Sequence, residues 1–190
     1  MKKSVIAALA LSLFLMAGAA SASIIGIFGD TGATTCAKDF VTQYTTVTVY
    51  FCALLDDTAA ISAAEFGATG VNLPPNIITV DWDTDLVIGN ILEPQGVALA
   101  FPTPKEAPLA YLGSIAYFLL AALPANHVMQ ITPSGFGNLV LVDAATQTAV
   151  YPEGWRLIAN CQVGGDYGEC LCEATIATEE AAWGQIKALY

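Results

Sequence analysis

The chain has 190 residues, 55% hydrophobic and 12% charged, with 6 Lys and Arg against 17 Asp and Glu and a formal net charge of −11. That balance excludes nucleic acid and anionic membrane surfaces as natural partners, because binding either relies on Lys and Arg. Cations, neutral glycans and other proteins stay open, while acidity by itself also keeps an exported protein soluble.

Residues 1–22, MKKSVIAALALSLFLMAGAASA, read as a secretory signal peptide. Lys2 and Lys3 form the positive end, Val5 to Met16 the apolar core, and Ala20-Ser21-Ala22 a small-x-small cleavage site, so the mature chain is expected to start near Ser23. An apolar core of about a dozen residues is too short for a membrane span, which needs roughly 20. No Cys follows the cleavage site, which argues against lipid attachment there. Cleavage leaves 168 residues, one domain by size, with four basic residues (Lys38, Lys105, Arg156, Lys187) and a net charge of −13. The expected organisation is a signal at 1–22, a β domain at 23–177 and a C-terminal helix at 178–190. The exported chain is expected in the periplasm, on the cell surface or outside the cell.

Strand signals follow in order. Ile24 to Phe28 is a short apolar run closed by Gly29-Asp30-Thr31-Gly32. Tyr44 to Leu55 is rich in Thr, Val, Tyr and Phe, which suit a pleated surface. Ser62 to Thr69 puts Glu65 and Phe66 on opposite faces. Asn76 to Ile88 alternates around Trp82, with Gly89-Asn90 as a turn. Gly96 to Phe101 is expected to stop at Pro102 and Pro104. His127–Ile131, Asn138–Val142, Thr148–Tyr151 and Trp155–Ala159 continue the pattern. Short strands spaced by turn residues indicate a sandwich or barrel.

Residues 107–123 run without a charge. Length and spacing leave a buried strand, a buried helix and a membrane span open. The Tyr, Ile and Phe content and the strand-like neighbours favour a central strand. The C-terminal stretch 178–190 reads as a helix. Thr178 is its N-cap, Glu179 and Glu180 lie at the positive end of its dipole, and Trp183, Ile186 and Tyr190 share one apolar face. That face either caps the sandwich or is a recognition tail for a partner.

Five cysteines are present, Cys36, Cys52, Cys161, Cys170 and Cys172, and export allows them to oxidise. Cys161 and Cys170 flank a Gly-rich turn that suits a local bridge. Cys36 reaches Cys172 if the first and last strands are neighbours. Cys52 reads as a buried free thiol within an apolar run. A zinc site is disfavoured, since the chain has one His and no second close Cys pair.

No nucleophile elbow, dinucleotide fingerprint or phosphate loop occurs, and His127, the single His, reads as structural. Nothing singles out a catalytic carboxylate pair. The sharpest local feature is Asp81-Trp82-Asp83-Thr84-Asp85. Three carboxylates at alternate positions resemble the start of a calcium loop, although Leu86 stands where Gly is expected and no Glu closes the loop. The same spacing on a strand equally describes a solvated face. Trp82 beside them is a side chain that can stack on a sugar ring.

The segments Ile25-Gly-Ile-Phe-Gly-Asp30, Cys36, Thr46-Val-Thr-Val-Tyr50, Ala64-Glu-Phe66, Val87-Ile-Gly-Asn90, Tyr117-Phe118 and Trp183-Gly-Gln-Ile-Lys-Ala-Leu-Tyr190 together resemble a group of uncharacterised exported bacterial proteins. More loosely, Ala-Glu-Phe closing an early strand is similar to cohesin-like and carbohydrate-binding β-sandwiches. The resemblance implies a fold and a binding role, and it transfers no functional residue. The reading is therefore an antiparallel β-sandwich of immunoglobulin or cohesin-like type with a short C-terminal helix. It is expected to be a non-catalytic binding or structural module for a protein or glycan, needing no cofactor unless calcium. A hydrolase with paired carboxylates and a subunit of a surface assembly are the alternatives.

Overall fold

The computed structural model describes residues 23–162, 170 and 172. The expected signal segment and the expected helix with Trp183, Ile186 and Tyr190 lie outside the described residues. Joined by turns and loops, the regular elements of the rest are strands: β1 (Ile24–Phe28), β2 (Ala37–Lys38), β3 (Thr46–Leu54), β4 (Ala60–Thr69), β5 (Ile77–Trp82), β6 (Leu86–Asn90), β7 (Gly96–Glu106), β8 (Leu109–Phe118), β9 (His127–Thr132), β10 (Val140–Asp143), β11 (Ala149–Val150), β12 (Glu153–Gly154) and β13 (Arg156–Ala159). No helix among the described residues is long and apolar enough to cross a membrane.

Two sheets face each other. One has the order β12-β1-β3-β8-β5; the other runs β11-β10-β4-β9-β13-β2, with β7 also paired to β4 and β6 to β7. Alternation decides which side chains fill the space between them. Ile25, Ile27, Val49, Phe51, Leu112 and Ile115 come from the first sheet, and Ile61, Phe66, Leu99, Met129 and Leu157 from the second. This is the β-sandwich that the strand pattern implied. Its pairing is antiparallel except for β1 with β12 and β13 with β2, which are parallel.

The charge-free run from 107 to 123 supplies β8, hydrogen-bonded on both sides to β3 and β5, so it is an interior strand of its sheet, one place from the edge and not its centre. At its middle Gly113 lies opposite both Phe51 and Trp82. With no Cβ between them, the two rings meet at 5.3 Å, and Phe66 of the facing sheet completes a triangle with ring centroids 5.8 and 6.0 Å away. This aromatic cluster ties the two sheets together.

Three boundaries differ from the sequence expectation, each for a local reason. The alternating stretch from Asn76 to Ile88 is two strands, β5 and β6, on different sheets. Between them Thr84 Oγ1 accepts from Leu86 N (3.1 Å) and donates to Ala100 O (2.6 Å), which steers the chain across. Gly89-Asn90 belongs to β6; the turn comes later, where Glu93 N donates to Asn90 O and Gly96 N to Glu93 O, each at 3.0 Å. Finally, β7 continues through Pro102 and Pro104. The ladder to β4 shifts register between Ile61 and Ala63, jumping from Ala100 to Lys105, so neither proline stands at a paired position that would need its missing N–H.

Candidate functional site

The outer face of the second sheet carries the site. Pairing registers place its outward side chains in two rows that cross four strands. One row is Leu86, Ala100, Ala63 and Val142. The next is Ile88, Ala98, Glu65 and Val140. Their neighbours along each strand, Ala64, Phe66, Val97, Leu99 and Leu141, point inward and are buried. Small residues on β4 and β7 thus form a floor, while Leu86 and Ile88 on one side and Val140 and Val142 on the other form walls. The result is an apolar groove of about 530 Å³. Leu86 is 54% exposed and Ile88 77% exposed. Monomeric surfaces scatter such residues singly; a contiguous set indicates a binding face.

Polar groups mark the ends of the groove. Glu65 Oε1 accepts from Ser134 Oγ (2.6 Å) and Asn138 Nδ2 (3.1 Å), which fixes the one carboxylate in the floor rows. The same turn is closed by Gly137 N to Ser134 O (2.8 Å) and docked by Gly135 N to Gln95 O (3.0 Å). It holds Phe136 outward, 78% exposed. Asp85 lies beside Leu86 at the other end. Among the described residues lining the groove are two carboxylates and no basic side chain.

The residues singled out from sequence are placed elsewhere. Because β5 ends at Trp82, Asp81 projects outward from the strand while Asp83 and Asp85 lie in the crossing turn. The three do not share a strand face. Asp83 pairs with the Lys105 ammonium, and among the described residues no group of three His, Cys, Asp or Glu could hold a metal ion. Trp82 turns its ring into the aromatic cluster between the sheets, not toward a surface where a sugar could stack. His127 Nε2 is 2.8 Å from Gly70 O and serves the fold.

The cysteines form a second, smaller core. Cys36 and Cys172 are joined, as are Cys161 and Cys170. The first and last strands, β1 and β13, are neighbours, as the long-range pair requires; β2, just after Cys36, also pairs with β13, and Ile158 N donates to Cys36 O (2.8 Å). Cys36 packs with Phe28 and the free, buried Cys52, and Tyr50, Tyr111, Trp155 and Cys172 surround them. Burial pushes the Cys52 thiol up to about 12, helped by the charge of Asp30, so it is neither ionised nor nucleophilic at neutral pH.

Other carboxylates are committed to turns. Burial works to raise the Asp30 carboxyl, but hydrogen bonds from Thr34 and Thr35 outweigh it and leave it below its ordinary value. Asp143 accepts from the Thr58 hydroxyl and from the backbone and hydroxyl of Thr146, which lowers it to about 2.

No protein-family model and no curated protein matches the chain. Solved cohesin structures do. The seventh ScaB type I cohesin from Pseudobacteroides cellulosolvens is 9% identical, with a TM-score of 0.43, over 78% of this chain and 98% of that one. The cohesin module of a family 33 glycoside hydrolase from Clostridium perfringens is 12% identical, with a TM-score of 0.40, over 74% of this chain and 97% of that one. The third cohesin ScaC from Acetivibrio cellulolyticus, solved in complex with the ScaB dockerin, is 12% identical, with a TM-score of 0.39, over 72% of this chain and 98% of that one.

Proposed function

We propose that this chain is an exported, non-catalytic docking module that binds an apolar, locally basic element of a partner protein in the β6-β7-β4-β10 trough. The observation that carries this reading is the pair of side-chain rows, with an alanine floor between exposed aliphatic walls. Three strand spacings separate the walls, about 14 Å, which accommodates a helix about 10–12 Å across. Glu65 and Asp85 favour a cationic residue on the incoming element. The signal-like segment 1–22 and the two cysteine pairs support export. The hydrogen-bonded carboxylates Asp30, Asp143 and Glu65 serve turns, which gives the hydrolase reading no support.

Capture of exported host proteins on the immobilised chain tests the reading. Ala98→Arg should abolish retention of the partner by filling the floor, while Ile77→Arg, an exposed site on the other sheet, should not. Equal retention by both variants rejects the assignment of this face.

A further inference from the structure

We propose that the α-ammonium created at Ser23 when the signal is cut is a structural part of the fold, paired with the Asp57 carboxylate. The inference rests on the reading of residues 1–22 as a signal cleaved after Ala22, and it states what the cut supplies. Ser23 is seated on several sides. The residue is buried, 1% exposed. Its hydroxyl donates to Asp57 Oδ1 and accepts from Asp56 N (3.4 Å), and its carbonyl accepts from Glu153 N (2.9 Å). Position 23 is therefore held between β12 and the turn that follows β3. That turn does not depend on Ser23 for its place. Leu55 N donates to Pro108 O (2.8 Å), Ala107 N to Ala59 O (2.9 Å) and the Thr58 hydroxyl to Ala60 O (3.1 Å), so the turn is braced at both ends. Covalent geometry keeps the nitrogen of a serine within about 4 Å of its own Oγ. Asp57 is exposed and already bonded to that Oγ, so a pivot of its side chain brings the carboxylate to the nitrogen.

Before the cut this nitrogen belongs to a neutral amide; after it, the nitrogen is a cation among acids. The titratable groups around it are Asp56 and Asp57 on the turn and Glu153 on β12, opposite Ile24. Asp143, bonded to the Thr58 hydroxyl, and Glu106, opposite Ala60, come next. The basic side chains among the described residues are placed otherwise: Lys38 Nζ donates to Gly29 O (2.7 Å), Lys105 pairs with Asp83, and Arg156 stands opposite Gln130 on β9. A carboxylate beside an α-amine raises it above its ordinary range of about 7.7–8.0. The folded value then exceeds the unfolded one, so the stabilisation is complete below about pH 7.7 and is lost as pH rises through the folded value. The uncut chain has no such contribution at any pH.

N-terminal sequencing of the exported chain is the first step and should begin at Ser23. A chain that starts at Met1 or at any other residue overturns the cleavage reading and the pair together. The α-amine is then titrated by trace acylation with acetic anhydride from pH 6 to pH 10, read by mass spectrometry of the N-terminal peptide. Its midpoint should stand at least about half a pH unit above the ordinary range and fall back into it in Asp57→Asn. An ordinary midpoint in the wild type, or one that Asp57→Asn leaves unchanged, overturns the pair and leaves the cut in place. Thermal melts give a second readout. Acetylating the Ser23 α-amine removes its charge and should lower Tm by about 1–4 °C at pH 7, with the gap closing as pH rises past about 9. In Asp57→Asn the same acetylation should change nothing. Free and acetylated chains that melt together at pH 7 also overturn the pair.

Discussion

Gly113→Ala should destabilise the protein although it adds a single methyl group. A Cβ at this position would stand 2.4 Å from Trp82 Cε3, 2.6 Å from Asp81 O and 3.0 Å from Trp82 Cα. The indole could turn away, but the carbonyl oxygen and Cα belong to the backbone of β5, so the strand itself must shift. Overpacking of this kind costs about 1–3 kcal/mol. Replacing Gly by Ala in a strand returns about 0.5–1 kcal/mol, chiefly by restricting the unfolded chain. The difference spans about 0–2.5 kcal/mol, and contacts this short to backbone atoms place it in the upper part, about 1–2 kcal/mol, which for a domain of this size lowers Tm by roughly 2–8 °C. Gly32→Ala is the control, since its new Cβ would meet Asp30 Oδ2 and Thr34 Cγ2 at 3.5 Å, ordinary contact distances. Thermal unfolding of the two variants followed by circular dichroism decides the matter. Indistinguishable midpoints would refute the argument that Gly113 makes the room in which Phe51 and Trp82 meet.

Two further outcomes follow from the titrating groups. Cys52, buried with its thiol pushed up to about 12, should resist alkylation in the native protein and react once per chain after denaturation without reductant, as mass spectrometry would show; rapid native labelling would contradict its place in the smaller core. The Asp143 carboxyl, held at about 2 in the folded chain, contributes stability that is present above the ordinary carboxylate range and lost as pH falls through about 2. Asp143→Ala should therefore melt below the wild type at pH 7, and the gap should narrow between pH 4 and pH 2. A gap that is constant with pH would assign the effect to something other than the carboxylate.

Much of the sandwich is legible in the sequence because alternation is a local signal. Glu65 and Phe66 fall on opposite faces, as Ser62–Thr69 implies, and the charge-free run at 107–123 becomes the interior strand β8. What is not legible depends on contacts between distant segments. Pro102 and Pro104 look like a strand end until the register shift with β4 leaves them unpaired. Trp82 looks like a surface aromatic until Gly113, 31 positions later, admits its ring to the core. The three aspartates keep their alternate spacing but lose a common face because Thr84 turns the chain between the sheets.

The trough is the hardest feature to read in advance. Its floor is made of alanines, Ala63, Ala98 and Ala100, and small side chains carry no motif. The alternation in Gly96-Val-Ala-Leu-Ala-Phe101, large inward and small outward, is the one trace it leaves in the sequence. Its walls come from β6 and β10, about fifty residues apart, and only the pairing registers bring them to opposite sides of the same floor.

The central claim is that protein partners meet the β6-β7-β4-β10 face. Photo-crosslinking tests it most directly, with a photoreactive residue placed at position 88 or at position 77 in the chain expressed in its host. Both sites are exposed, 77% and 57%, and they lie on opposite sheets. The account expects a discrete protein adduct from position 88 and none from position 77. Adducts only from position 77, or equal yields from both, would contradict it.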